Sequence, residues 1–284
     1  MRNTILTSAL ICLAACGQRA ADDRPHVTVS IPPQAFLVER IGGGRVSVSV
    51  LAGPGEDAHT YEPSDHQVSA ALRAGIWFRI GVPFENGRWR RAVEGKMRVV
   101  DLRDGIEPRH MAEGECIHGD HEHGEDPHSW LSLRALEAMA GTVERALAEF
   151  DPPGRQAYAA GREALVAEIR QTRETIAGML RPFAGRPLYV YHPAWGWFCD
   201  EFGLRQVSVE FEGKEPSDAE LTVLLARARA DAVRVVFVQP QIAGRSARAI
   251  ADAVGARLEP LDPLRPDVLA NLLEVAGRVA EALR

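Results

Sequence analysis

The sequence has little of what defines several large classes of protein. Four cysteines in 284 residues are too few for a disulfide scaffold. Acidic residues outnumber basic ones by 39 to 33, and the net charge of −6 argues against a nucleic-acid-binding protein, which normally carries a basic surface. Beyond the first 15 residues no run of 18 uncharged apolar residues occurs, so no later segment is predicted to span a membrane. The composition, 46% hydrophobic and 25% charged, is typical of a globular protein.

The start of the chain has the pattern of a bacterial export signal. Arg2 supplies a short positive region, and 5–15 is an apolar run too short to cross a bilayer as a helix. The run ends in LAACG, which resembles the lipobox of bacterial lipoproteins, where the signal is cleaved before the cysteine and its thiol carries a diacylglycerol. We therefore expect removal of residues 1–15, lipidation of Cys16, a tether over 16–25 and a periplasmic protein anchored to a membrane. An ordinary secretory signal is the alternative.

Two cysteines, Cys116 and Cys199, remain in the predicted mature chain. An oxidising compartment permits a disulfide between them. Because they lie far apart in sequence, their spacing alone does not decide between a disulfide and two separate thiols.

Strands alternate with helices in both halves of the chain, a pattern that predicts two α/β lobes, each with a mostly parallel sheet flanked by helices. Between the halves, residues 155–180 have helical periodicity without a break, and a 26-residue helix is about 39 Å long. We predict an N-terminal lobe over 26–150, a rigid connecting helix over 154–182 and a C-terminal lobe over 186–284. The predicted strands are 26–31, 45–51, 76–80, 97–102, 187–191, 207–211, 233–238 and 257–261.

Four residues of metal-ligand type stand in loops that follow strands or precede helices: His59, His128, His192 and Asp262. Each is a weak signal alone, since a loop histidine is usually solvated and an Asp-Pro pair is usually a turn. Together they supply two ligands from each half of the chain. Three imidazoles and one carboxylate suit a tetrahedral Zn²⁺ site.

The segments around these residues, GPGEDAHTYEPS, EDPHSWLS, VYHPAWGWFCDEFGL and LEPLDPL, resemble the signature blocks of the zinc- and manganese-type solute-binding proteins of bacterial ABC importers. The resemblance runs from about residue 27 to 284. It implies two α/β lobes joined by one rigid helix, with the metal clamped between them by His59 and His128 from the first lobe and His192 and Asp262 from the second. Manganese-type members tend to carry a carboxylate at the position of His192, so histidine there favours zinc.

The segment 110–127 resembles the His- and acid-rich loop of the zinc-type members. It lacks periodicity and predicts a mobile loop, in which His118, His121 and His123 would form weak, exchangeable sites that capture Zn²⁺ beside the tight one. Cys116 is a further candidate ligand. The alternative is a solvated loop whose histidines are incidental.

Other residues near these blocks have two interpretations each. Trp195, Trp197 and Phe198 either wall the metal site or belong to the core. Three acidic residues, Glu210, Glu212 and Glu215, are predicted to lie on a solvated face, with docking to a transporter as the alternative. Many relatives carry glutamate at the position of Gln239, and an amide there alters whatever supporting role that carboxylate has.

These features predict a binding protein and not an enzyme: a monomeric receptor that captures Zn²⁺ as its transported ligand and delivers it to an ABC permease with a cytoplasmic ATPase. A site filled by four protein ligands favours capture, because a catalytic zinc keeps one position for water. Alternatives are a manganese or iron receptor, a periplasmic zinc chaperone or an adhesin on the same scaffold. A zinc hydrolase is disfavoured because the sequence has neither HExxH nor GxSxG.

Overall fold

The computed structural model describes residues 24–110, 124–210, 214–241 and 245–284. The predicted export signal, Cys16, Cys116, Glu212 and the three loop histidines His118, His121 and His123 lie outside these ranges, so what the sequence predicts of them stays a prediction. Within the described ranges, no helix combines the length and the apolar character needed to cross a membrane.

The first half of the chain folds into one sheet with four parallel strands, β1 (His26–Val29), β2 (Ser47–Val50), β3 (Ile76–Arg79) and β4 (Arg98–Asp101). Their spatial order is β2-β1-β3-β4. Its helices are α1 (Pro32–Gly42), α2 (Asp65–Ala71), α3 (Arg90–Val93) and α4 (Leu133–Phe150). The side-chain oxygens of Ser64 and Ser132 accept backbone N–H groups at the starts of α2 and α4, which satisfies donors that have no partner inside a helix.

The second half repeats this topology. Helix α5 (Arg155–Leu180) leads into a parallel sheet of β5 (Pro187–Val190), β6 (Arg205–Ser208), β7 (Val235–Val238) and β8 (Arg257–Pro260), in the spatial order β6-β5-β7-β8. Its helices are α6 (Gly196–Phe202), α7 (Asp218–Ala230), α8 (Arg245–Val254) and α9 (Val268–Leu283). In both sheets the strand order reverses beside the first strand, and ligands of open α/β sheets bind at the carboxyl ends of strands near such a reversal.

The prediction of two parallel α/β lobes joined by one long helix is confirmed. Several strands are shorter than predicted, and the bounds differ most at β6, which is predicted over 207–211 but runs from Arg205 to Ser208. The physical reason lies in Gly203, whose positive φ of 72° ends α6 in a left-handed turn and directs the chain at once into the sheet. Glu210 therefore lies beyond the end of the strand.

The connecting helix belongs to the core of both lobes. Helix α5 packs against α1 and α4 of the first lobe and against α9 of the second. Leu188 and Val190 of β5 face this shared core, while Tyr189 between them faces a separate core beneath α7 and α8. Because one apolar core continues from the first sheet through α5 to the second sheet, the lobes are not independent bodies on a flexible linker.

We expect two glycines of α5 to respond oppositely to alanine. A Cβ atom on Gly161 would lie 2.5 Å from the carbonyl oxygen of Ile41 in α1, whereas a Cβ on Gly178 meets nothing within 4 Å. Gly161→Ala should lower the free energy of unfolding by about 1–3 kcal/mol, because backbone atoms have to move apart. Gly178→Ala should raise it by about 0.5–1 kcal/mol, because alanine costs less backbone entropy in a helix. Urea denaturation of the metal-free protein measures both, and stabilisation by both variants would contradict the close packing of α1 on α5.

Candidate metal centre

Three of the four predicted ligands meet at one point. The Nε2 atoms of His59 and His128 are 3.2 Å apart, those of His59 and His192 are 3.0 Å apart, and those of His128 and His192 are 3.3 Å apart. Among the described residues these three form the one group of potential ligand atoms close enough together to hold a metal ion. The first two belong to the N-terminal lobe and the third to the C-terminal lobe, so the point of convergence lies between the lobes.

His59 is presented by the loop between β2 and α2. The carboxylate of Asp57 accepts the backbone N–H of His59 at 2.9 Å and the hydroxyl of Thr60 at 3.0 Å. Two residues after His59, the hydroxyl of Tyr61 donates to the carbonyl oxygen of Leu51 at the end of β2. These bonds turn the loop back on itself and direct the His59 ring toward the second lobe.

His128 stands at the entrance of a short 3₁₀ turn that leads to α4. Asp126 lies two residues earlier, and its Oδ1 atom accepts both the backbone N–H and the Nδ1 atom of His128, at 3.0 Å and 2.8 Å. Trp130, two residues later, is buried and donates its indole N–H to the carbonyl oxygen of Pro263 in the second lobe. The ring of His128 is therefore fixed by a carboxylate on one side and by an interlobe anchor on the other.

His192 follows β5 and has a carboxylate partner that the sequence analysis placed wrongly. Glu210 is not on a solvated face: it is 3% exposed, and its Oε1 atom pairs with Nδ1 of His192. The register explains this, because Val190 of β5 pairs with Ser208 of β6, so the residues two positions beyond these lie side by side. The sequence signal for Glu210 is its position: it follows β6, and β6 is the neighbour of β5, the strand that His192 follows.

The two carboxylates set the chemistry of two imidazoles. A carboxylate accepts the hydrogen bond from Nδ1 of His128 and of His192, so in the neutral ring the proton lies on Nδ1 and Nε2 holds the lone pair. Burial lowers the pKa of His59 to about 2, with a further contribution from His128 and His192, and burial also lowers the pKa of His128 against the opposing effect of Asp126. His59 and His128 are therefore neutral at neutral pH, which is the form that binds a metal ion.

Asp262 is not part of the three-nitrogen group. It follows β8, is half-buried, and its Oδ1 atom accepts the side-chain amide of Gln241 and the backbone N–H of Leu264, both at 2.9 Å. Gln239 is buried, and its Oε1 atom has no hydrogen-bond partner within the described part of the chain. Gln239 does not line the cleft that holds the imidazoles.

The cleft around the imidazoles is strongly acidic. Its volume is about 840 Å³, and the described residues that line it include five carboxylates but no lysine or arginine: Asp57, Glu125, Asp126, Glu210 and Glu215. The hydroxyl of Tyr191 donates to Glu215, and burial, with the neighbouring carboxylates, raises the pKa of Tyr191 to about 12. This surplus of negative charge attracts cations into the cleft.

Of the three aromatic residues near His192, Trp195 and Phe198 belong to the core. Trp197 is half-buried and donates its indole N–H to the carbonyl oxygen of Asp126 at 3.0 Å. None of the three lines the cleft, so none walls the metal site.

The geometry fits a tetrahedral ion. Two nitrogen ligands about 2.05 Å from a tetrahedral Zn²⁺ are about 3.3 Å from each other, and the three measured separations of 3.0–3.3 Å are close to that value. Imidazole nitrogen suits zinc, whereas manganese prefers carboxylate and carbonyl oxygen. A tetrahedral ion held by these three imidazoles would have one coordination position for a fourth donor.

The fold and this site define a class of two-lobed α/β proteins that bind a metal ion between their lobes. Within that class, the chain belongs to the family described as ZnuA: Zinc-uptake complex component A periplasmic, whose family model matches residues 27–282. The resemblance inferred from the sequence motifs is thereby confirmed.

Solved structures and curated relatives agree with this membership. A crystal structure of ZnuA is 37% identical, with a TM-score of 0.84, and the match covers 92% of this chain and 100% of the other. A ZnuA deletion mutant with zinc bound is also 37% identical, with a TM-score of 0.85 and coverages of 92% and 98%. The high-affinity zinc uptake system protein ZnuA of Yersinia pestis is 26% identical over 297 residues, which cover 95% of this chain and 92% of that protein.

Glu210 should matter for zinc affinity through its contact with His192. Glu210→Gln removes the carboxylate that holds the proton on Nδ1 of His192, so we expect the affinity for Zn²⁺ to fall about 10- to 100-fold in competition with a chromophoric chelator. Glu215→Gln is the matched control, since Glu215 lines the same cleft and its carboxylate accepts the hydroxyl of Tyr191, and the affinity of this variant for Zn²⁺ should stay within about twofold of the wild type. Equal losses in both variants would mean that the net charge of the cleft decides, and not the orientation of His192.

Proposed function

We propose that the chain is an extracytoplasmic receptor that binds Zn²⁺ tightly through His59, His128 and His192 and delivers it to an ABC importer. The observation that carries the proposal is the meeting of three Nε2 atoms from two lobes within 3.3 Å of one another. Membership of the zinc-uptake family supports the same function, as do the ZnuA relatives and the zinc-bound ZnuA mutant of the same fold. Zn²⁺ is the transported ligand here and not a cofactor of a reaction.

Asp262 is the proposed fourth ligand, with water as the alternative. In the structure its carboxylate is held by Gln241 and by the backbone of Leu264. Both of these hydrogen bonds end on Oδ1, so Oδ2 is the oxygen proposed to bind the ion. Whether Asp262 or water fills the fourth position is decided by the effect of Asp262→Asn.

The His-rich segment is proposed as an accessory site that captures zinc and passes it to the three imidazoles. Its base is defined by an antiparallel bridge between His110 and Glu125, and Glu125 lines the cleft. The contact of Glu125 with the cleft supports the proposal. His118, His121 and His123 are the proposed ligands of the segment.

The proposed setting is the periplasm, with Cys16 lipidated and the protein anchored to a membrane as a monomer. The LAACG motif and the family support this setting. The partner is the importer's permease with its ATPase. We also propose lobe boundaries at 26–150 and 186–284, with 154–182 as the connecting helix, on the basis of the repeated strand order and of the helix between the two sheets.

A competitive metal titration tests the site. The wild type should bind one Zn²⁺ tightly, His192→Ala should abolish this site, and deletion of 112–125 should largely retain it, because those residues supply none of the three imidazoles. Asp262→Asn should weaken binding at least tenfold if Asp262 is the fourth ligand and by less than about twofold if water is, since one good charged ligand is worth more than 1.4 kcal/mol. The same titration with Mn²⁺ measures selectivity, and equal affinity for both metals would overturn the assignment to zinc.

A zinc hydrolase is the second candidate, since three imidazoles and one open position are also the ligand set of catalytic zinc. The zinc-loaded protein should hydrolyse neither an ester nor a lactam above the rate of free Zn²⁺ and buffer. Turnover that disappears in His192→Ala would replace transport by catalysis as the function.

Membrane anchoring depends on one thiol. Cys16→Ser should abolish labelling of the exported protein by a radioactive fatty acid and leave zinc affinity unchanged, because the thiol carries the lipid. Cys12→Ser is the matched control within the predicted signal and should be labelled like the wild type. Labelling of Cys16→Ser at the wild-type level would contradict the lipoprotein assignment.

A further inference from the structure

Arg109 connects a metal ligand of the first lobe to a helix of the second. Its side chain is buried, and its Nη1 atom donates to Oδ2 of Asp126 at 3.1 Å. On the other side, its Nε and Nη2 atoms donate to the two carboxylate oxygens of Asp200 at 2.8 Å and 3.4 Å. Asp200 belongs to α6, in the second lobe.

Asp126 transmits this contact to the metal site. Its two oxygens have different partners: Oδ2 accepts a hydrogen bond from Arg109, while Oδ1 accepts hydrogen bonds from Nδ1 and the backbone N–H of His128. The backbone N–H of Asp126 also donates to the carbonyl oxygen of Arg109 at 2.7 Å. A carboxylate that orients a metal-binding imidazole is itself held by further hydrogen bonds in well-formed sites, and here the holding group is a guanidinium.

The contact also reaches the third imidazole. The segment that carries His192 continues into α6, whose first residue, Gly196, lies so close to Arg109 that a Cβ atom there would be 2.3 Å from the guanidinium carbon. Trp197 of the same helix donates to the carbonyl oxygen of Asp126. A chain of contacts therefore runs from His128 through Asp126, Arg109 and α6 to His192, and an ion bound by the two imidazoles would close it into a loop.

We propose that Arg109 is a positioning residue that holds His128 of the first lobe and His192 of the second at the spacing that zinc requires. The proposal rests on zinc binding by the three imidazoles. Arginine suits this task because its planar guanidinium donates to two carboxylates in fixed directions, whereas lysine presents a single ammonium group. Arg109 itself does not touch the ion.

The test is the zinc affinity of variants of the protein produced from the full chain and solubilised in detergent. Arg109→Gln should lower the affinity about 10- to 100-fold, the range found when a partner of a ligand is lost. Asp200→Asn should lower it less, about three- to tenfold, since Asp200 is 60% exposed and its charge is partly screened by water. Arg109→Lys should recover part of the loss.

Two comparisons separate positioning from a general effect on folding. Arg103→Gln is the control, because Arg103 pairs with Asp101 and Glu125 and not with Asp126, and its affinity should stay within about twofold of the wild type. The single variant Asp126→Asn and the double variant Asp126→Asn/Arg109→Gln should have the same zinc affinity, because Arg109 acts on His128 through Asp126. Independent structural effects would instead add.

Thermal unfolding in EDTA shows whether each variant folds. If Arg109→Gln does not fold, the zinc affinity of Asp200→Asn, a substitution at the surface, tests the proposal in its place.

The outcomes distinguish this inference from the function on which it rests. The positioning role alone would be overturned if the wild type binds zinc tightly and Arg109→Gln binds it with the same affinity. If Arg109→Gln does not fold, unchanged affinity in Asp200→Asn would overturn it. Additive effects of the Arg109 and Asp126 substitutions would also overturn it. The absence of any tight zinc site in the wild type would overturn the proposed function, and the positioning role with it.

Discussion

Three imidazole nitrogen atoms have to lie within about 3.3 Å of one another although they come from two lobes, and the rest of the structure serves this constraint. Neutral imidazoles at this distance stabilise one another little, whereas a cation bound by all three nitrogen atoms would stabilise the arrangement. A hinge between the lobes would spread them apart. The continuous apolar core from the first sheet through α5 to the second sheet makes the arrangement rigid. Beside His128, the indole N–H of Trp130 donates a hydrogen bond to the backbone of the second lobe and restrains the lobes further.

The carboxylates around the three imidazoles have two different roles. Asp126 and Glu210 are buried and contact imidazoles, so they favour the tautomer whose Nε2 lone pair points to where the three rings meet. Glu215 lies exposed at the edge of the cleft, where its charge attracts a cation without orienting a ligand. Burial explains the difference, since a carboxylate removed from water has to have a partner, while an exposed one is already solvated.

Prediction from sequence succeeded where the signal is local. The helix over 155–180 has the bounds that its periodicity predicts, and His59, His128 and His192 meet as expected from their places in loops beside strands. It failed where the answer depends on which strands are neighbours. Glu210 was expected on a solvated face because acidic residues usually are, and only the pairing of β5 with β6 places it against His192.

For Asp262, the residue type and the position after a strand suit a metal ligand, and that role stays a prediction. The structure adds a contact that no short segment reveals: one oxygen of its carboxylate accepts the side-chain amide of Gln241, a residue that follows a different strand. The sequence by itself determined the two α/β lobes, the long helix, the family and the three imidazoles, because periodicity and residue type are properties of short segments. Only the tertiary structure decided which carboxylates orient the imidazoles and that Arg109 joins the lobes, because these contacts link residues whose distance in space depends on the packing of the whole chain.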